Sequence, residues 1–431
     1  GSQGFDKDGY RRQSVYAGLG FHPNENWSIR PFVHFAYEKG NMDADAFVDD
    51  KDYYYTTVFW QTGLSLQHTF DKGDLNLKYS FNPTDRHYLN DSLDGSDYAK
   101  SKYGSVTHSV DAYIHYIISP HISLLFGNSI RLEKTNQHGV NIFGPYIYKN
   151  DLSADSAQTN AMDIYGSFFL KTDNGFHLEL GGRLNQHKLY GSHPVFSINP
   201  SWLINDRIKF FANIASTFSS PSLYQLYSVY GNQKLKPETG ISYEGGMEAL
   251  FAHQKLKLRL TAYDRNLKKV IAFQTSRYIN YDHQTGYGGE AELDYAVNEK
   301  LRIKAYYAYL NGRVTAKNAG TKKDSTYNNL FKRPENAAGI SIGYQLAPSF
   351  YISMDGKYTG SREDLAFINN SQQIRHLKNY IIVNLYAQYV WKTRYKLFLG
   401  LHNITDSRYT ETTGFTTKRF NFETGVQWSL F

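Results

Sequence analysis

Apolar and polar side chains alternate along most of this chain, segment after segment, and the connections between segments sort by length. Nineteen such two-faced segments can be read, near 9–21, 27–38, 54–70, 75–89, 103–118, 121–135, 157–172, 176–190, 192–204, 207–217, 240–253, 256–275, 279–297, 300–316, 333–346, 349–361, 377–391, 394–403 and 417–431. In one of them Leu301, Ile303, Ala305, Tyr307 and Tyr309 interleave with Arg302, Lys304, Tyr306 and Ala308. In another, Ile381, Val383, Leu385, Ala387, Tyr389 and Trp391 share one parity. A period of two is the geometry of a β-strand with unlike faces.

One set of connections is very short, as at Asp71–Asp74, Ser119–His121, Asn205–Asp206 and Lys392–Arg394. The other set is mostly long and polar: 39–53, 90–102, 136–156, 218–239, 317–332, 362–376 and 404–416. Two members of that second set, near Gly191 and at 276–278, are short. Short turns on one side and long loops on the other are the habit of bacterial outer-membrane barrels. Roughly 9–11 residues carry a tilted strand across the hydrocarbon, and these segments suffice. No run of about 18 apolar residues exists to make a spanning helix. Tyr 37, Phe 27 and Gly 34 against Pro 11 suit pleated strands and tight turns. The sequence therefore predicts an all-β, transmembrane antiparallel β-barrel, one domain over 1–431, in the bacterial outer membrane and in contact with its lipid.

The closing stretch Lys418–Phe431 carries Phe420, Phe422, Thr424, Val426, Trp428 and Leu430 on one face, like the last strand of such a barrel. Phe431 falls on the polar parity, which requires a bulge or a frayed end. The first strand leads into a short turn, so it and the last strand both run toward the periplasm. Nineteen is then an odd count, whereas single-chain bacterial barrels close with an even one. Open edges are not viable in lipid. The expectation is that an odd number of strands precedes Gly1.

Cysteine is absent, which removes disulfides and thiolate chemistry. The net charge of +7 is spread along the chain without a basic stripe, and no nucleic acid is expected as a partner. No G-x-S-x-G, H-E-x-x-H or phosphate-cradling glycine motif occurs, so no catalytic residue is assigned and an enzyme is not expected. Glu290, Glu292 and Asp294 share a parity and are read as lumen groups paired with basic neighbours such as Arg302 or Lys304.

Two motifs go further. Phe218–Glu238 reads F-S-S-P-S-L-Y-Q-L-Y-S-V-Y-G-N-Q-K-L-K-P-E, and Gly400–Tyr409 reads G-L-H-N-I-T-D-S-R-Y. The first resembles the F-x-A-P … G-N-x-x-L-x-P-E loop of TonB-dependent outer-membrane receptors, with Ser220 in place of the alanine. The second resembles that family's N-[LI]-x-[DN]-x-x-Y motif. Leu223–Asn232 and Asp6–Tyr10 are most similar to the family's vitamin B12 (cobalamin) receptors. The resemblance implies a 22-stranded barrel, of which about 19 strands are present here. The plug, and the segment that TonB engages, would lie in the part that precedes this chain. It further implies import of cobalamin or a related corrinoid, with a surface lipoprotein as a further partner. Haem or siderophore import is the alternative within the class, and a passive porin or adhesin barrel the alternative outside it.

Tyr224, Tyr227, Tyr230 and Asn232 are the expected substrate-binding residues, since flat aromatic faces with a few polar groups suit a corrin-like ring. No histidine lies between Phe218 and Glu238, which disfavours haem. Asp6, Asp8, Asp43 and Asp50 are expected, by the resemblance, to bind a structural Ca²⁺ in the outer loops, with Asp45 and Asp52 as close alternatives. Oxygen-only ligands suit that ion.

Overall fold

The structure is a computed structural model and describes residues 8–91, 98–274, 276–317, 324–328, 331–368 and 371–429. Asp6, Leu430 and Phe431 lie outside the described residues. Among those described there are 25 strands and a single five-residue helix, Leu223–Tyr227. No helix there is long and apolar enough to cross a membrane.

Six of the strands sit inside the long connections: Tyr146–Leu152, Ile271–Gln274, Arg277–Asn280, Asp324–Asn328, Arg362–Ile368 and Ser371–Leu377. The remaining nineteen coincide one for one with the nineteen segments read from the sequence. Two of those segments are longer than the strands they contain. The stretch 256–275 breaks after Lys268, where Lys269 takes a left-handed φ of 58°, and 279–297 begins properly at His283. The residues between them form a separate hairpin in which Phe273 pairs with Tyr278. Alternation alone cannot reveal such a break, because the hairpin keeps the same period. The outer connection that looked short at 276–278 is therefore 14 residues long, Lys269–Asp282.

By contacts the chain divides into two compact units. In the first, an antiparallel ladder runs through Tyr10–Gly18, Trp27–Asn41, Tyr54–Phe70, Gly73–Asn90, Tyr98–Ser119, Ile122–Phe143, Gln158–Lys171 and Phe176–His187. The register places Leu77, Ala112, Asn128, Ile164 and Leu184 in one row across five strands. On that face Leu75, Ile114, Phe126 and Ile164 are all more than a third exposed. In water such a surface would aggregate, whereas lipid solvates it. The opposite face holds the row Lys78, Asp111, Ser129, Asp163 and Asn185. There the Tyr165 hydroxyl donates to Asp111 at 2.7 Å, and Ser129 and Asn185 donate to Asp163 at 3.0 and 2.6 Å.

The second unit repeats this division through Leu301–Lys317, Asn336–Ala347, Phe350–Thr359, Tyr380–Trp391, Tyr395–His402 and Asn421–Trp428. Leu397 and Val426 are register partners on the exposed apolar face. Arg302 grips Asp294 with two hydrogen bonds of 2.7 Å, the pairing expected from the alternation of acids and bases. Beside the short turn at Lys392–Thr393, two consecutive residues with φ of 50° and 57° make the tight reversal that a two-residue hairpin needs. Trp391 meets Tyr395 at a tilt, 5.4 Å away, and Tyr395 stacks on Trp428 at 6.1 Å, as an aromatic belt at a membrane interface does.

Candidate functional site

The loop after strand Ile208–Ser219 is built by its own sequence. Ser222 accepts from the Gln225 amide at 3.2 Å while the Gln225 side chain accepts from the Ser222 amide at 2.9 Å, a capping box that starts the one-turn helix. Leu223, Leu226 and Leu235 are buried beneath it. Gly231 closes the turn where a Cβ would stand 2.6 Å from the Leu226 carbonyl oxygen. Asn232 then ties this loop to the hairpin above: its amide group donates to the Tyr278 carbonyl at 2.9 Å, and its side-chain oxygen accepts from the Lys234 amide at 3.0 Å. Asn280 repeats the device, accepting from the Lys236 amide and donating to the Lys236 carbonyl, both at 2.9 Å.

This framework holds a continuous row of rings. Tyr55 meets Tyr88 at 6.1 Å, Tyr88 meets Tyr103 edge-on at 5.8 Å, and Tyr103 meets Tyr224 at 6.1 Å. Tyr224 continues to Tyr278 at 6.2 Å, Tyr278 to Phe273 at 5.2 Å, and Phe273 to Tyr230 at 5.4 Å. Tyr53 joins at Tyr88, 6.5 Å away. Packed edges and offset faces are the favoured aromatic arrangements. Yet Tyr224, Tyr230 and Phe273 remain 39%, 41% and 51% exposed, so their faces are open to a ligand. A cavity of about 480 Å³ lies among Tyr53, Arg86, Tyr88, Tyr103 and Tyr224. Burial first, then the neighbouring phenols Tyr103, Tyr278 and Tyr230, push the Tyr224 hydroxyl up to about 12. Burial likewise raises Tyr53. The rings themselves are therefore uncharged and carry hydroxyl donors.

Of the residues expected from sequence, Tyr224 and Tyr230 stand in this row. Tyr227 lies beside Tyr190, whose hydroxyl donates to the Leu235 carbonyl at 3.2 Å, and it forms no ring pair among the described residues. Asn232 has both ends of its amide engaged within the loop. Tyr53, Tyr88, Tyr103, Phe273 and Tyr278 were not foreseen. Their signal was present in Tyr53-Tyr54-Tyr55 and in tyrosines near the outer ends of two successive strands.

The acidic loop plays a second part. Asp50, 1% exposed, accepts from Asn90 at 2.5 Å and from the Tyr53 and Asp52 amides at 3.0 and 3.2 Å. It thereby shapes the turn that presents Tyr53. Among the described residues no group of three or more His, Asp or Glu side chains converges as a metal site. Asp8 precedes strand Tyr10–Gly18 and Asp43 follows strand Trp27–Asn41, so the two lie at the same end of one strand pair.

The model of the TonB dependent receptor-like β-barrel family matches residues 1–404. The chain belongs to that family. It is a bacterial outer-membrane β-barrel, in a family of receptors and transporters rather than enzymes. The vitamin B12 transporter BtuB of Vibrio vulnificus (strain YJ016) is 23% identical over 416 residues, covering 94% of this chain and 61% of that protein. The chain thus spans about three-fifths of the length of that relative. Among solved structures, the copper transporter OprC superposes with a TM-score of 0.79 at 15% identity, over 97% of this chain and 72% of that one. The ferripyoverdine receptor of the Pseudomonas aeruginosa outer membrane gives 0.78 at 14% identity, over 98% and 65%. At these identities the structural likeness speaks for the barrel fold alone.

Proposed function

We propose that this barrel belongs to a TonB-dependent receptor that imports cobalamin or a related corrinoid. The observation that carries the reading is the row of neutral aromatic rings around the outer loops of the first unit. A large conjugated macrocycle with amide side chains offers apolar faces to such rings and hydrogen-bond acceptors to their hydroxyls. A highly charged ligand would instead ask for a cluster of opposite charges, and the row holds seven tyrosines, one phenylalanine and no carboxylate. The similarity to the vitamin B12 transporter of Vibrio vulnificus points the same way. In this reading Tyr224 and Tyr230 contact the ligand directly, Tyr227 supports the helix that carries Tyr224, and Asn232 positions the loop. TonB acts through a region outside this chain, and a surface lipoprotein covers the loaded mouth. Calcium ordering of the acidic loops by Asp6, Asp8, Asp43 and Asp50 is a separable part of the proposal.

The test is equilibrium binding of cyanocobalamin, haem and a ferric siderophore to the full-length receptor, each with calcium and with a chelator. Tight binding of cyanocobalamin alone supports the reading, and weakening on chelation supports the calcium part. Binding of haem or siderophore without cyanocobalamin replaces the substrate and leaves the family.

A further inference from the structure

One side chain in the aromatic cavity is charged. Arg86 lies on strand Gly73–Asn90, with Thr57 as its register partner on one side and Tyr103 on the other, so it shares the face that bears the rings. Its Nε donates to the Thr57 hydroxyl at 3.1 Å and one terminal nitrogen reaches the Tyr88 hydroxyl at 3.4 Å. A guanidinium has five N–H groups in a fixed fork, so the remaining donors are uncommitted. Among the described residues Arg86 makes no ion pair. The carboxylate on the same register line is Glu38, partner of Thr57, and it accepts instead from the Tyr10 hydroxyl at 2.6 Å. A guanidinium without a counter-ion, walled by neutral phenols, is poised for an anionic pair of oxygens, as in a carboxylate or a phosphodiester, held by two parallel hydrogen bonds.

We propose that Arg86 is a specificity-determining residue that seats an anionic oxygen group of the ligand while Tyr53, Tyr88, Tyr103 and Tyr224 pack against its apolar body. This rests on the corrinoid reading for the choice of ligand. The group is then the phosphodiester of the nucleotide arm of cobalamin, and corrinoids without that arm bind without help from Arg86. Arg86 thereby sorts complete corrinoids from incomplete ones by one charge-assisted contact.

The experiment measures affinities of cyanocobalamin and dicyanocobinamide, which lacks the phosphodiester, for the full-length receptor unchanged and as Arg86→Gln and Arg86→Lys. Arg86→Gln is expected to weaken cyanocobalamin by at least about tenfold, the scale of one charge-assisted hydrogen bond, and dicyanocobinamide by less than about threefold. Arg86→Lys keeps the charge and loses the fork, so it falls between on cyanocobalamin and leaves dicyanocobinamide unchanged. Its retained dicyanocobinamide binding also certifies a folded mouth. Equal effects on both ligands, or none on either, overturn the role given to Arg86 while leaving corrinoid import intact. Failure of the unchanged receptor to bind either corrinoid sinks the import reading and this assignment with it.

Discussion

Two clusters of outer-loop residues, one in each unit, are held together by opposite means. In the first unit the loops meet through neutral rings and the hydrogen bonds of Asn232, Asn280 and the buried Asp50, and ring faces stay open. In the second, charges are buried. Asp364 is 1% exposed, accepts from the Thr413 amide at 2.7 Å and faces the Lys332 ammonium at 3.6 Å. Arg362, 6% exposed, donates to the Thr410 carbonyl at 2.7 Å and lies 5.2 Å over the Tyr380 ring. Lys332 also reaches Thr412 at 3.3 Å. Buried ions with partners on three segments fix those segments relative to one another, since any rearrangement would strand a charge. Open phenols fix less and offer more. The difference assigns the second cluster to scaffold and sets the first apart as the recognition surface proposed above.

The sharpest way to break that distinction is to remove Asp364. In Asp364→Ala the Thr413 amide loses its buried acceptor and Lys332 loses its counter-ion, at a cost of roughly 3 kcal/mol. Protection of the 403–420 backbone against hydrogen exchange should collapse, while ligand affinity stays within about threefold, the scale of an indirect effect. If affinity falls as far as protection does, the scaffold cluster is recognition surface after all.

A smaller effect is expected at Gly231. A Cβ there stands 2.6 Å from the Leu226 carbonyl oxygen and 2.7 Å from that of Ser228, and neither backbone atom can step aside. Gly231→Ala should cost about 1–3 kcal/mol of local overpacking, and displace Tyr224 and Tyr230 from the row. Affinity then drops by about tenfold, the lower part of that range, while the thermal unfolding of the barrel is unmoved. An unchanged affinity would mean that the loop is not held in the bound state as it is here.

The contrast between the clusters also explains what could be read in the sequence. Alternation revealed the nineteen long strands because lipid and lumen impose opposite demands on successive residues of each one. Asp294 with Arg302 was legible for the same reason: the two residues face one side at adjacent heights. Register across distant strands was not legible, so Tyr88, Tyr103 and Tyr278 could not be assigned to one row. Both motifs that carried the family resemblance contain residues that shape the backbone. Gly231, Asn232 and Leu235 shape the first loop. Asn403 and Asp406, with φ of 50° and 48°, shape the last one, where Arg419 clasps the Asp406 carboxylate. The Phe420 amide and Arg419 hold that carboxylate below its usual range. A motif records what a backbone needs at least as often as what a ligand needs.

The finest test concerns charge on the recognition side, and it predicts almost nothing at neutral pH. Burial disfavours the Tyr224 phenolate, which raises its folded pKa from 10.0 to about 12. The sign follows from which form the folded state prefers. The stabilisation is fully present below the unfolded value of 10.0 and is lost as pH rises through about 12. Corrinoid affinity should therefore be flat from neutrality through pH 10 and decline only as pH approaches about 12, where a phenolate would replace a neutral donor in the row. Tyr224→Phe keeps the ring and removes the titrating hydroxyl, so its affinity at neutral pH should lie within about threefold of the unchanged receptor, one lost hydrogen bond at most. Its tyrosinate absorbance titration should lose one component that ionises near pH 12. If Tyr224→Phe instead weakens binding as much as Tyr224→Ala, the hydroxyl and not the ring face is what the ligand reads. The row would then be a line of hydrogen-bond donors and not a stacking surface, and its likeness to the polar second cluster would be closer than its chemistry suggests.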